Sequence, residues 1–187
     1  MTVCNAADVP PIYVALATHL VSPGDTFDTQ GTLNIDGLVL GGREFLFEDG
    51  LHYDIALTHA GEGILAAGTV RGHVNTTCDR CLGDAQFDLA AEVTCYYVHE
   101  LPSEDEMDDD QDFGLIDEVN GRIDLSEAVV GAVYMELPYI VLCDEDCKGL
   151  CPVCGCNLNE ETCSCSQKAE EAKKEASPFA VLNSLKL

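Results

Sequence analysis

Cysteines are the residues of this sequence whose type and spacing most clearly indicate a chemical role. Eleven cysteines lie in the 187-residue chain, and seven of them fall between Cys143 and Cys165. Such a density predicts either a disulfide framework or a cluster of metal-binding thiolates. The first residues lack the basic region and unbroken apolar core of a secretory signal. We therefore expect a cytoplasmic protein with reduced thiols, which favours metal binding over disulfides.

The clearest ligand pattern is Cys151-Pro-Val-Cys154 followed by Gly155, with two thiols three positions apart and a glycine after the second. Cys163 and Cys165 form another close pair further along the chain. Four sulfur atoms from two short turns suit the tetrahedral geometry and roughly 2.3 Å bonds of a closed structural zinc site. A redox-active cysteine pair is the alternative, but such pairs usually lie at a strand-to-helix turn of a βαβ unit.

A second expected site uses cysteines that are far apart in the sequence. Cys143 and Cys147 have no local partners, whereas Cys78 and Cys81 lie between two strand-like segments, where a β-hairpin tip is expected. We predict that these four thiols hold a second zinc ion. An exchange of Cys147 with Cys151 between the sites, or a single metal cluster, remains the alternative.

Three cysteines fall outside these two ligand sets. Cys95 lies within a strand-like segment, where a buried thiol behaves as a small hydrophobic group. Cys156 is only two positions from Cys154, too close for an easy place in the same coordination shell. Cys4 has no role that the sequence indicates.

The charge balance restricts the classes of partner. The chain carries 34 acidic and 9 basic residues, a formal net charge of −25. Scattered cations do not form the basic stripe that neutralises nucleic-acid phosphates, so rRNA binding is disfavoured and a basic partner is favoured. Acidity that serves only solubility or high-salt conditions is the plain alternative. No run of 18 apolar residues is present, so no membrane span is expected.

Short apolar segments with alternating polarity, separated by glycine-containing turns, dominate the first hundred residues. They predict an antiparallel β-sheet, arranged as a small barrel or sandwich. With the helix signals that follow, the expected fold class is α+β. The predicted strand segments are residues 12–21, 27–40, 44–48, 51–58, 64–77 and 85–98.

Changes in composition define three expected regions. Residues 1–101 form the mainly β region with the hairpin of the first cysteine pair, and residues 102–118 form an acidic loop that charge repulsion keeps mobile. Residues 119–187 contain a helix, the cysteine-rich zinc-knuckle segment and a short C-terminal helix. The first helix is predicted to begin with Asp124 as its cap and to end before Pro138.

Together these motifs resemble the DUF177 family, whose named bacterial members are called YceD or large ribosomal RNA subunit accumulation protein. The resemblance covers roughly residues 60 to 187. It is carried by Thr77-Cys78-Asp79-Arg80-Cys81-Leu82, Ile123-Asp124-Leu125, Leu137-Pro138, Cys143, Cys147, Gly149-Leu150-Cys151-Pro152-Val153-Cys154-Gly155, Asn157 to Asn159, Cys163-Ser164-Cys165 and Pro178-Phe179-Ala180-Val181-Leu182.

The resemblance implies a non-enzymatic factor in ribosome biogenesis that supports accumulation or processing of large-subunit rRNA. The expected partner is a basic ribosomal protein or a pre-50S particle, with no membrane and no small-molecule substrate. The sequence itself shows no catalytic constellation. Neither cysteine set keeps the open position that catalytic zinc requires, and the histidines occur singly, as His19, His52, His59, His73 and His99.

Two other functions remain as alternatives. A zinc-knuckle protein that binds rRNA directly would use Arg80 and Lys148, which lie beside the expected metal ligands; both cations also offset thiolate charge. A thiol-based redox sensor or chaperone would use Cys156 and the metal-binding thiolates.

Overall fold

The computed structural model describes residues 3–4, 9–102 and 112–165, with side chains from residue 9 onward. The chain divides into two compact units. The first comprises Met1–Thr76 and Gln86–Tyr139, and the second comprises Thr77–Ala85 and Ile140–Leu187. Most of the predicted acidic loop (103–111) and the predicted C-terminal helix lie outside the described residues.

One sheet of eight strands dominates the structure, and most of its pairings are antiparallel. Six strands follow the order β1-β4-β5-β7-β6-β3, while β8 pairs with β7 and β9 pairs with β8. The predicted α+β class is confirmed, although the helical content is small. The strands are β1 (Val3–Cys4), β2 (Tyr13–Ala15), β3 (Thr26–Leu33), β4 (Gly37–Leu40), β5 (Arg43–Phe47), β6 (Leu51–His59), β7 (Gly63–Thr77), β8 (Asp84–Val98), β9 (Phe113–Leu115) and β10 (Arg122–Asp124).

The longest strands, β7 and β8, alternate between buried and exposed residues as a half-buried sheet requires. In β8 the buried set is Ala85, Leu89, Ala91, Val93, Cys95 and Tyr97. Cys95 is therefore a core residue, and burial raises the pKa of its thiol to about 11. The thiol stays protonated at neutral pH, as expected for a packing residue.

The helix of the described chain, α1 (Ser126–Glu136), packs on the sheet through Val129, Val130 and Val133. It begins two residues after Asp124, whose carboxylate accepts hydrogen bonds from the backbone N–H groups of Ser126 and Ile12, both at 2.9 Å. Asp124 is the last residue of β10, so its carboxylate fixes the start of the helix next to the two-stranded β10-β2 sheet. No described helix has the length and apolar character needed to span a membrane.

Candidate metal centre

The first cysteine pair lies in the tight loop that connects β7 to β8. The backbone N–H of Cys78 donates to the carbonyl of Gly83 at 2.8 Å, and that of Leu82 donates to the carbonyl of Cys78 at 3.0 Å. Leu82 takes a left-handed conformation with φ 58°. The N–H of Arg80 also points at the Cys78 sulfur, at 3.4 Å. The loop therefore presents the Cys78 and Cys81 thiols with a backbone donor already directed at one of them.

Four sulfur atoms converge at this loop, and we call this cluster site one: Cys78, Cys81, Cys143 and Cys147. All four lie within 4.8 Å of one another, with Cys78 and Cys147 at 3.8 Å and Cys81 and Cys143 at 3.6 Å. The edge of a tetrahedron with metal–sulfur bonds of roughly 2.3 Å is about 3.8 Å. These two separations therefore match those expected around a four-coordinate zinc ion.

The same distances exclude disulfide bonds at site one. A disulfide requires sulfur atoms about 2.05 Å apart, well below the separations seen here. All ten cysteines whose side chains are described are free thiols. The sequence-based preference for thiolates over disulfides agrees with this geometry.

Hydrogen bonds from both main-chain and side-chain groups join the loop to the later segment that carries the other two ligands. Asp79 makes two of them to Val141, donating its N–H to the carbonyl at 2.8 Å and accepting the Val141 N–H on its carboxylate at 2.7 Å. The carbonyl of Arg80 accepts the N–H of Leu150 at 3.0 Å, and its guanidinium donates to the carbonyl of Cys147 at 2.9 Å. These contacts place the distant cysteine pair opposite the loop.

Gly149 allows this approach because it lies directly against Arg80. A Cβ atom at position 149 would be 2.9 Å from the Arg80 carbonyl oxygen and 3.2 Å from the Arg80 Cβ. The residue also takes a left-handed φ of 72°, which favours glycine. The glycine before Leu150 is thus required by both the backbone conformation and the packing.

A second knuckle is built around Cys151. Its N–H donates to the carbonyl of Cys156 at 2.8 Å, while its carbonyl accepts the N–H of Gly155 at 2.8 Å. Gly155 has φ 73°, and the N–H of Val153 points at the Cys151 sulfur at 3.5 Å. The left-handed turn folds the chain back so that Cys156 returns beside Cys151.

This turn determines which thiols meet in the second cluster, called site two. The sulfur atoms within 4.8 Å of one another are those of Cys151, Cys154, Cys156 and Cys163. The sequence argument had placed Cys165 there and set Cys156 aside. The Cys165 thiol is near enough to that of Cys154 to have its pKa raised by it, but lies outside this group. The left-handed turn at Gly155 was open to prediction from the sequence, but the return of Cys156 into the cluster was not.

Backbone donors lower the pKa of one thiol in each site. Burial alone would raise the pKa of Cys78, but N–H groups of Cys81, Cys143 and Arg80 outweigh it and lower the pKa to about 6. At Cys151 the N–H groups of Cys154 and Val153 also lower the pKa to about 6. Each site therefore contains a thiol that ionises readily, which metal ligation requires.

Other thiols of the two clusters resist ionisation. Hydrogen bonding to Cys147 raises the pKa of Cys143 to about 12. Contact with Cys154 raises the pKa of Cys156 to about 12 and that of Cys165 to about 11. Neighbouring sulfurs disfavour a second negative charge in the same cluster. A bound cation would offset that repulsion and let the whole set ionise.

Asn159 connects the two clusters. Its side-chain amide donates to the Cys147 sulfur of site one at 3.3 Å, and its side-chain oxygen accepts the Lys148 N–H at 2.8 Å. This amide contact is the main cause that lowers the pKa of Cys147. The residue belongs to the loop between Cys156 and Cys163, so the chain folded around site two supports a ligand of site one.

The donor chemistry of both clusters fits zinc. Within the described residues, the groups of close metal-ligating side chains contain cysteine alone. Four-sulfur sets are typical of closed structural sites, and N–H groups directed at sulfur stabilise thiolates. When bound, zinc would supply a cross-link rather than a reaction centre, because all four positions are occupied by protein sulfur.

The fold and the two clusters define the class of molecule: a small α+β protein, mainly β-sheet, with two cysteine clusters that could each hold a metal ion. The family model described as large ribosomal RNA subunit accumulation protein YceD matches residues 66–186. The chain belongs to this family, and the expected membership is confirmed. The matched range contains every cysteine of both sites.

Two of the three curated relatives described here carry the family name. An uncharacterized protein of Mycobacterium tuberculosis (strain H37Rv) is 30% identical over 154 residues, covering 81% of this chain and 72% of the relative. The Arabidopsis thaliana protein named large ribosomal RNA subunit accumulation protein YCED homolog 1, chloroplastic, is 38% identical over 50 residues, or 27% of this chain and 16% of its own. The Zea mays protein of the same name is 34% identical over 68 residues, covering 33% and 23%. No solved structure matches the chain.

Proposed function

We propose that this protein is a non-enzymatic factor in ribosome biogenesis that supports accumulation or processing of large-subunit rRNA. The observation that carries the proposal is the family match over residues 66–186, since the family and its plant members are named for that role. Its expected mode of action is binding to a basic ribosomal protein or a pre-50S particle. The net charge of −25 supports a cationic partner.

We further propose that both clusters hold structural zinc. At site one the ligands are the four converging thiols, whose spacing matches a tetrahedral ion. At site two Cys151, Cys154 and Cys163 are common to the sequence argument and the geometry. For the fourth position we favour Cys156, which belongs to the close group, over the initially expected Cys165. Each four-thiolate site adds a charge of roughly −2, which increases the preference for basic partners.

Two contacts weigh against the alternative of direct rRNA binding. Arg80 already donates to the carbonyl of Cys147, so part of its guanidinium is engaged within the site. The exposed Lys148 lies beside the acidic Asp144, Glu145 and Asp146. A lysine in such acidic surroundings is a poor phosphate-binding group.

The experiment that tests the function is depletion of the protein in its own organism. We expect large-subunit rRNA to fall relative to small-subunit rRNA, and the tagged full-length chain to co-purify with a basic ribosomal protein or a pre-ribosomal particle. A depleted strain with an unchanged ratio of the two rRNAs would contradict the proposal.

A further inference from the structure

An open groove of about 810 Å³ lies between β8 and α1 in the first unit. Part of its lining is apolar and exposed: Leu65 has 36% and Met135 has 88% of its surface accessible. Ala90 on the strand and Ala132 on the helix are small side chains that leave the groove wide. Its volume is within the range of binding sites in proteins, roughly 300–1,000 Å³.

The groove runs along a strand edge that no described strand covers. Ala90, Ala91 and Glu92 all line it. Since successive side chains of a strand point to opposite faces, a groove lined by three in a row reaches the main chain at the edge. On this edge β9 pairs only with Tyr96–Val98 of β8, and no other described strand continues it. The N–H and C=O groups of an open edge can pair with an added strand.

The electrostatics of the groove favour a cationic occupant. Glu92, Asp112 and Glu136 contribute carboxylates, and no lysine or arginine is among its lining residues. Glu136 is also the last residue of α1, where the helix dipole is negative and no basic side chain offsets it. An acidic segment would meet like charges here.

We propose that this groove binds an extended basic segment of the protein's partner, which adds as a strand to the edge of β8 that no described strand covers. Apolar side chains of the segment contact Leu65 and Met135, and its lysines or arginines face Glu92, Asp112 and Glu136. The inference rests on the proposed function in that the partner is a basic protein. It goes further by assigning the surface and the recognition mode.

The direct test uses the full-length, zinc-loaded protein and a fluorescent ten-residue peptide of alternating valine and lysine. Binding should appear in a polarisation titration, and the peptide with glutamate in place of lysine should not bind. Two further peptides carry N-methyl groups at every second residue, one at the odd and one at the even positions. Because only alternate N–H groups of an added strand face β8, one of these peptides should lose binding and the other should keep it. Equal binding of both methylated peptides would overturn strand addition.

Charge reversal locates the site. The Glu92→Lys/Glu136→Lys double variant should weaken peptide binding by roughly tenfold or more. Asp28→Lys/Glu62→Lys is the matched control, since it makes the same change in net charge at exposed residues outside the groove lining. Equal weakening by both variants would show non-specific attraction and would overturn the assignment of the groove.

A co-purification from cells separates this inference from the proposed function. If the wild-type chain recovers a basic ribosomal protein and Glu92→Lys/Glu136→Lys recovers it equally well, the groove assignment fails while the proposed function stands. If the wild-type chain recovers no ribosomal component and its depletion leaves rRNA unchanged, the proposed function fails. The groove assignment is then supported or overturned by the peptide titration alone.

Discussion

Substituting Gly149 by alanine tests how tightly the two cysteine-bearing segments must approach each other. Gly149 and Gly155 form a natural pair for comparison, because their φ angles are 72° and 73°. An alanine at either position has the same left-handed backbone cost, about 1–2 kcal/mol. An added Cβ has no atom within 4 Å at Gly155, whereas at Gly149 it lies 2.9 Å from the Arg80 carbonyl oxygen.

The extra contact sets the expected difference between the two variants. Overpacking against a backbone carbonyl costs about 1–3 kcal/mol. Weakening the hydrogen bond from Leu150 to the Arg80 carbonyl costs about 0.5–1.5 kcal/mol more. Gly149→Ala should therefore destabilise the second unit by about 2–4 kcal/mol more than Gly155→Ala. Since folding and metal binding are linked there, zinc affinity at site one should fall by between about thirtyfold and a thousandfold.

Two measurements check this expectation. Denaturant unfolding of the zinc-loaded variants gives the difference in free energy of unfolding, and competition with a chromogenic chelator gives the zinc affinity of each site. If Gly149→Ala and Gly155→Ala behave alike in both assays, the close packing of Gly149 on Arg80 does not support site one and the reasoning is refuted.

Three further predictions follow from single contacts. Cys156→Ser should weaken zinc binding at site two by roughly 10²–10³-fold, which corresponds to the contribution of one thiolate to the binding free energy of a structural site. Cys165→Ser should leave that affinity unchanged. The reverse result in chelator competition would restore Cys165 as the ligand. Asn159→Leu should weaken zinc binding at site one while site two keeps its metal, because it removes the amide donor to a site-one thiolate; unchanged affinity at site one would exclude that link. The pKa of His73 should exceed its ordinary value of 6.5 because of the hydrogen bond to Asp88, and NMR titration should show it falling towards that value in Asp88→Asn. The interaction stabilises the fold at pH values below the pKa of the unfolded histidine, and this stabilisation is lost as the pH rises through the folded-state pKa. An unshifted His73 pKa in the wild type would contradict the prediction.

The sequence predicted the parts of the structure that depend on local patterns. Alternating polarity identified the two long strands and the hairpin between them, and the helix was placed within two residues of its observed start. The segment 27–40 was expected as one strand, but the structure divides it between Leu33 and Gly37. The short strands β9 and β10 were not predicted, because three-residue strands depend on partners distant in the sequence.

At the candidate site, too, local patterns could be predicted from the sequence and contacts that depend on the folded chain could not. The sequence predicted that Cys78 and Cys81 meet Cys143 and Cys147. One pair was expected at a hairpin tip, and the other had no local ligand partners. The position of Cys156 was not predicted, because it depends on the backbone hydrogen bond from Cys151 to the Cys156 carbonyl, which the spacing of the cysteines does not reveal. The groove beside β8 was also beyond sequence reasoning, since it arises where a strand edge and a helix from separate segments come together.

The metal content of the reduced, full-length protein tests the central claim most directly. We expect two zinc ions per chain by elemental analysis, each with a sulfur-only shell at about 2.3 Å by X-ray absorption. Cys78→Ser and Cys151→Ser should each lower the content towards one ion per chain. A protein purified without tightly bound metal, or one whose mass shows these cysteines joined as disulfides, would contradict the account.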